Sequence, residues 1–242
     1  MRRPLWPKQM NQFVATMPDV YGSLYGESEM AEHAAIVSRR DARVVHAELW
    51  QSKKGPLLCV VAEDRPGLLA LVTDALLGQG MAIQSARAFC RVVAKDRAEA
   101  VDFLGLRALG GPDDVAVQLD GEALQAFTES LGELIAHDMV QRNAPSTASA
   151  HDQPTTRVYF ERQSPSEGSY LLVVDAPDSD GLLHAVSSAL HEKGMRILAC
   201  EIRTEAGRAR DRFEVEPSSQ RALKDSELCD VQLAVLAALP RR

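Results

Sequence analysis

Two short segments of the sequence place an aspartate and a glycine where a strand turns into a helix. Asp64–Leu68 reads Asp-Arg-Pro-Gly-Leu, and Asp178–Leu182 reads Asp-Ser-Asp-Gly-Leu. The first N–H groups of a helix lack intrahelical partners and can bind a carboxylate, while the aspartate can bind an ammonium group. The pattern therefore indicates two candidate sites for a small zwitterion. In the alternative interpretation, each glycine only permits a tight turn and each aspartate only caps its helix.

Both segments belong to an internal repeat. Residues 57–83 align with residues 171–197 without a gap, and roughly half of the aligned positions are identical. Each copy predicts a buried strand, an amphipathic helix that ends at a glycine, an alternating antiparallel hairpin and a second helix. The second helices are expected at residues 119–139 and at about residues 227–239.

A further strand is expected at Thr156–Glu161, where it can close the first copy. It follows a segment rich in Pro, Ser and Thr, Asn143–Pro154, which is expected to be flexible. The second copy ends without such a strand or takes one from elsewhere. The order βαββαβ predicts an α+β fold of two ferredoxin-like units with antiparallel sheets. The expected divisions are a short, partly helical extension at residues 1–50, a first unit at 51–162 and a second at 163–242.

Residues 62–69 and 176–183, each followed by Gly-x-x-Ile, resemble the ACT-domain family of small amino-acid-sensing regulatory modules. Three further segments resemble the C-terminal regulatory part of the bacterial PII uridylyltransferase/uridylyl-removing enzyme family. They are Met17–Tyr21, Ala31–His33 and Thr156–Val158. This resemblance covers about residues 12–240 and excludes the catalytic domains. It implies a stand-alone regulatory protein of nitrogen metabolism that senses glutamine or a related amino acid and signals by a change of conformation or assembly.

The resemblance also implies that the ligand lies between two units, with the loop of one facing the second strand of the other. The predicted ligand-binding residues are Asp64, Arg65, Pro66, Gly67, Leu68, Ala82 and Ile83 in the first copy, and Asp178, Asp180, Gly181, Leu182, Arg196 and Ile197 in the second. Asp180 adds a carboxylate where a ligand carboxylate should dock, and this repulsion lowers the affinity unless Arg196, at the start of the next strand, neutralises it. We therefore expect the first loop to be the working site, and the second to bind another ligand or none.

Enzyme chemistry finds little support in the sequence. Gly110–Asp114 lacks the serine and the Asp-x-Asp spacing of a nucleotidyltransferase. The pairs His137-Asp138 and His151-Asp152, and the single His33, lack a helical array that could hold a metal. We expect no catalytic residue, no metal and no cofactor, with a relict uridylyltransferase as the minor alternative.

Charge and cysteine usage limit the partners and the compartment. The net charge of -7 argues against nucleic acid as a partner, because phosphate binding needs a basic face. No apolar run approaches twenty residues, which excludes a membrane span, and the basic start lacks the apolar stretch of a signal peptide. The four cysteines show no C-x-x-C spacing and are expected to be buried free thiols. We expect a cytoplasmic protein.

A second hypothesis is a protein-protein interaction module whose ligand binding has decayed. It would dock through an exposed sheet edge or through the N-terminal aromatic residues Trp6, Phe13, Tyr21 and Tyr25. The same side chains could equally pack the extension onto the sheet. The missing closing strand favours a homodimer, because an unpaired strand edge can pair with a second chain.

Overall fold

The structure, a computed structural model, describes residues 7–95, 97–111, 116–137, 156–161, 168–219 and 221–240. Its helices are α1 (Pro7–Val14), α2 (Asp19–Leu24), α3 (Glu27–Ser38), α4 (Leu68–Gly78), α5 (Gly121–His137), α6 (Leu182–Glu192) and α7 (Asp225–Ala238). Its strands are β1 (Val45–Ser52), β2 (Gly55–Glu63), β3 (Met81–Ala94), β4 (Arg97–Ala108), β5 (Arg157–Phe160), β6 (Tyr170–Pro177), β7 (Met195–Glu205) and β8 (Arg208–Pro217). The predicted α+β fold with antiparallel strands is confirmed, and the strands form one sheet.

The order of strands across this sheet is β1-β2-β4-β3-β7-β8-β6-β5. The first four strands come from the first copy of the repeat, with its preceding segment, and the last four from the second. The copies join where Ser85–Phe89 of β3 pairs antiparallel with Ala199–Arg203 of β7, and α4 packs against α6 on one face of the sheet. Because equivalent strands pair antiparallel, the two halves are related by an approximate twofold rotation. This rotation brings the loop before α4 close to the start of β7, and the loop before α6 close to the start of β3.

The outer strand of each half comes before its apolar strand in the chain. β1 pairs with β2 through a tight hairpin, from Val45 opposite Ala62 to Ser52 opposite Gly55. The prediction that Thr156–Glu161 closes the first copy is wrong, because β5 pairs with β6 in the second half. Closing a short hairpin loop costs less conformational entropy than pairing across a long linker, so the hairpin partner takes the edge of the first half. The strand expected to be missing from the second copy is therefore β5.

The local signals of the repeat are confirmed. Gly67 and Gly181 stand directly before α4 and α6 with φ of 80° and 77°. Gly80 and Gly194 follow the same helices with φ of 70° and 68°. These left-handed conformations carry little strain only in glycine, which accounts for the positions of both helix boundaries.

The helices α1–α3 cover the other face of the first half. Together with the side chains on that face of β1–β4, these helices form a second hydrophobic core. The buried residues of this core are Phe13, Met17, Tyr21, Ala34, Ile36, Val37, Trp50, Cys59, Val61, Phe89, Val101 and Phe103. Phe13 and Tyr21 are buried and Tyr25 packs against this core, so these three residues attach the extension to the sheet instead of forming a docking surface. Trp6 lies outside the described residues.

The expectations about membrane spans and cysteines can also be compared with the structure. None of the described helices is long and apolar enough to cross a membrane. All four cysteines are free thiols; Cys59 and Cys200 are buried, Cys90 is half-buried, and Cys229 is exposed, contrary to the expectation of burial. The segment Asn143–Pro154 lies outside the described residues.

Candidate functional site

The first candidate site lies between the loop before α4 and the start of β7. Asp64, Arg65, Gly67 and Leu68 line a cavity of about 30 Å³ together with Ile197 of the opposite half. The structure thus brings the first predicted loop together with the second strand of the other copy. A cavity of this size holds one or two water molecules at most.

An ion pair between the two halves closes this site. The Arg196 guanidinium binds the Asp64 carboxylate, with Nε donating to Oδ2 at 2.9 Å, and its Nη1 lies 3.0 Å from Glu216 Oε1. The Asp64 side chain is 6% exposed and that of Arg196 is 28% exposed. Asp64 therefore binds the opposite half, and the N-cap of α4 is Gly67, which has no side-chain cap.

Arg196 therefore does not neutralise Asp180, which was the condition for the second loop to bind a ligand carboxylate. Arg196 lies at the start of β7, and the twofold arrangement places that end of β7 beside the first loop. The charge near Asp180 is compensated by Arg107 of β4 instead, which the sequence reasoning did not select. Arg107 lies opposite Ala82 in the β3–β4 register, and Ala82 occupies the repeat position of Arg196.

The second candidate site is the twofold counterpart of the first. Asp178, Gly181 and Leu182 line a cavity of about 20 Å³ with Ala82 and Ile83 of the first half. Arg107 Nη1 lies 2.6 Å from Asp180 Oδ1, and its Nη2 lies 3.8 Å from Asp178 Oδ2. The Arg107 side chain is only 5% exposed, and Asp180 also accepts a hydrogen bond from the Gly110 N–H at 2.9 Å. The second site is therefore closed by a more deeply buried arginine than the first.

Each cavity contains a buried carboxyl that the sequence reasoning missed. Asp102 on β4 lines the first cavity and Asp211 on β8 lines the second, and they are 4% and 1% exposed. Both stand at the same position of the repeat, after Ala-Val and Ala-Arg. An aspartate repeated among the otherwise apolar, inward-facing positions of both strands was the available signal.

Burial changes the protonation of both carboxyls. It raises the pKa of Asp102 to about 8, and the nearby Asp64 carboxylate adds to this increase. Burial also raises the pKa of Asp211 to about 7, opposed by the Arg203 backbone N–H and assisted by the Asp178 carboxylate. Asp211 Oδ1 has no hydrogen-bond partner within the described part of the chain.

Two histidines of α6 lie close to the sites. The His191 ring packs on Gly67, where an added Cβ would lie 2.9 Å from Nδ1. His184 is buried, with Nδ1 3.1 Å from Thr73 Oγ1 on α4. The packing of α6 against α4 at the twofold junction explains this burial.

A wider cleft of about 530 Å³ lies outside the first cavity. Its walls include Asp64, Arg65 and His191, which also line the cavity, and Pro66, which does not. Arg40 and Arg43 lie at its other side. Pro66 is therefore the predicted residue of the first loop that lines this cleft but not the cavity.

The remaining candidates are the residues that were considered for a metal or catalytic site. Within the described ranges, no group of three or more His, Cys, Asp or Glu side chains could hold a metal ion. His33 is buried, and its Nδ1 lies 2.7 Å from the Tyr21 hydroxyl. His137 ends α5. Residues 112–114, 138, 151 and 152 lie outside the described residues.

No protein-family model matches this sequence, and no curated protein sequence matches it at a significant level.

Proposed function

We propose that this chain is a non-catalytic regulatory protein of the cytoplasm that binds an amino acid between two side-by-side ACT-type units. The observation that carries the proposal is the ion pair between Asp64, in the loop of one half, and Arg196, on a strand of the other. The carboxylate of Asp64 and the guanidinium of Arg196 are complementary to the ammonium and carboxylate groups of an α-amino acid. The resemblance of both loops to the ACT family supports the same conclusion.

Binding would replace this ion pair with two contacts to the ligand. The ligand ammonium group takes the acidic side of the site, and its carboxylate takes the Arg196 guanidinium, so that neither buried charge loses its partner. The present cavity of about 30 Å³ is far smaller than the several hundred Å³ typical of small-molecule sites. An amino acid can therefore enter only if the Asp64 loop and Arg196 separate.

This separation supplies a signal. Arg196 lies near the junction between the halves, so a ligand that binds only the open form shifts the arrangement of one half relative to the other. Glutamine is the first candidate, by the family resemblance. The cleft beside Arg65 and Pro66 provides room for a side chain that extends from the first site.

The first site is the one that we propose to open. Arg196 is partly exposed, whereas Arg107 is buried and contacts both Asp178 and Asp180 in the second site. Removing Arg107 from two carboxylates would leave uncompensated buried charge, which is costly. The second site therefore stays closed and does not take up an amino acid.

The alternative function is a protein-protein interaction module with decayed ligand binding. The observation that favours it is the closure of both cavities by internal arginines. Its docking surfaces would be the sheet edges at β1 and β5, where a partner or a second copy can add a strand.

Thermal-shift measurements with all twenty amino acids at millimolar concentration distinguish these functions. We expect at least one amino acid, glutamine first, to raise the melting temperature of the wild type and of Asp178→Ala, but not that of Asp64→Ala. Asp178→Ala is the matched control, because it removes the equivalent carboxylate of the other loop. If no amino acid changes the melting temperature, the interaction module is the better account.

A further inference from the structure

The buried carboxyls of the two cavities have no place in the ion pairs that close the sites. Asp64 and Asp178 bind the arginines, while Asp102 and Asp211 lie deeper, at equivalent positions of β4 and β8. Their burial is costly for a charged group, and a fold that needed only packing would have an apolar residue there. The repetition of this aspartate in both copies calls for a common role.

The surroundings of these carboxyls are shaped for a small cationic group. Asp102 lies opposite Ala88 in the β3–β4 register, and both residues line the first cavity together with the small side chain of Ala100. Asp211 Oδ1 is buried without a hydrogen-bond partner among the described residues, and it borders a cavity of about 20 Å³. That volume admits a group of the size of one water molecule, which is also the size of an ammonium group.

We propose that Asp102 and Asp211 are the acceptors for an ammonium nitrogen, one in each inter-half cavity. In the first site this group is the α-ammonium of the amino acid, which rests on the proposed function, with Asp64 assisting from the loop. In the second site, where Arg107 stays in place, only a free ammonium ion fits. The two sources share one chemistry, a singly charged nitrogen with at least three N–H donors.

Binding exchanges a proton for the ammonium group. At neutral pH the Asp102 carboxyl is largely protonated; when the ammonium group binds, the carboxyl releases its proton to the buffer and the carboxylate accepts N–H bonds. The other titratable or charged groups at this cavity are Asp64, Arg65, Cys90 and His191, with Arg196 on the Asp64 side. Asp64 is paired with Arg196, whereas Asp102 has no such partner at this cavity, so Asp102 is the group that we expect to change its charge.

Calorimetric titration of the full chain tests this assignment. The probes are L-glutamine, ammonium chloride and N-acetyl-L-glutamine, with sodium chloride as the salt control. For wild type we expect glutamine to bind with proton release, seen as a heat that depends on the buffer, and its affinity to rise with pH by up to tenfold per unit below the pKa of Asp102. N-acetyl-L-glutamine, which lacks the ammonium group, should not bind.

Two isosteric variants separate the sites. Asp102→Asn should weaken glutamine binding by about 10- to 100-fold and abolish its proton release, whereas Asp211→Asn should leave it unchanged and abolish ammonium binding at the second site. Far-ultraviolet circular dichroism verifies that each variant is folded, and Asp230→Asn, an exposed residue of α7, is the control.

The outcomes distinguish this inference from the proposed function. Glutamine binding that is equally tight in wild type and Asp102→Asn overturns the inference and leaves the function standing. If ammonium binds but no amino acid does, the assignment of the aspartates as ammonium acceptors is supported and the proposed amino-acid-binding function is contradicted. If neither probe binds, the cavities hold water only and the inference is overturned.

Discussion

Three buried ionisable residues should give the stability of this protein opposing dependences on pH. The raised pKa values of Asp102 and Asp211 mean that the folded protein binds more protons at these positions than the unfolded chain. His33 shows the reverse, because burial lowers its pKa to about 3. The free energy of unfolding therefore falls with rising pH through Asp102 and Asp211, and rises with pH through His33.

Because the pKa of Asp102 is raised, we expect the protein to lose stability as the pH rises. The protonated Asp102 carboxyl contributes fully to the free energy of unfolding below its unfolded pKa of about 3.8, and this contribution is lost as the pH rises to its folded pKa of about 8. We expect Asp102→Asn to remove this loss and to stabilise the protein at pH 8 by on the order of a few kcal/mol. Urea unfolding at pH 6, 7 and 8 measures the slope; equal slopes in wild type and variant would contradict the assignment.

The hydrogen bond between Tyr21 and His33 is a second test at the residue scale. Burial raises the pKa of Tyr21 and lowers that of His33, so a neutral hydroxyl and a neutral imidazole share this hydrogen bond, with 2.7 Å between the hydroxyl oxygen and Nδ1. Tyr21→Phe leaves the buried ring nitrogen without a hydrogen-bond partner, and we expect a loss of about 1–3 kcal/mol in the free energy of unfolding. A double-mutant cycle with His33→Leu, measured by urea unfolding, should show coupling of about 1 kcal/mol. Additive effects would mean that the hydrogen bond does not contribute.

At the scale of elements, the two loops before α4 and α6 share one backbone and differ in their neighbours. Gly67 and Gly181 have almost the same φ, 80° and 77°. Only at Gly67 does a side chain, that of His191, occupy the space where a Cβ would stand; at Gly181 nothing lies within 4 Å of that position. Substitutions at Gly67 and Gly181 can therefore distinguish the cost of backbone strain, which both positions share, from the cost of steric crowding, which occurs only at Gly67.

Alanine substitutions exploit that difference. We expect Gly181→Ala to cost about 1–2 kcal/mol, which is the cost of a left-handed conformation in a residue with a Cβ. Gly67→Ala should cost about 1–3 kcal/mol more, because the His191 ring must move. Adding His191→Ala to Gly67→Ala should return the loss to that of Gly181→Ala. Chemical denaturation of the four proteins measures the losses, and equal losses for the two single variants would disprove the contact.

The elements themselves were largely predictable from the sequence. Glycine positions, apolar periodicity and strand alternation are local signals, and they located α4, α6 and the β3–β4 and β7–β8 hairpins. The choice of edge strand was not predictable, because β1 and β5 both satisfy the strand pattern and only the competition between pairings decides. The partner of Arg196 depends on how the halves meet, which no local pattern contains.

At the scale of the whole molecule, the halves share one sheet and one core. The main core includes Leu58 and Val60 of the first half and Leu172 and Val174 of the second, and the β3–β7 pairing continues the hydrogen-bond ladder through the junction. The repeat therefore forms a single structural unit in which neither half can open its side of the sites without disturbing the other.

This continuity predicts a single unfolding transition. We expect differential scanning calorimetry to show one peak whose calorimetric enthalpy equals its van't Hoff enthalpy. Two resolved transitions would show that each half is stable alone, and the junction would then be a domain interface instead of a shared core.

The stoichiometry of amino-acid binding tests the central claim most directly. Isothermal titration of the full chain with L-glutamine should give one site per chain, absent in Asp64→Ala and retained in Asp178→Ala. Binding that needs Asp178 but not Asp64, or no heat of binding for any of the twenty amino acids at millimolar concentration, would contradict the account.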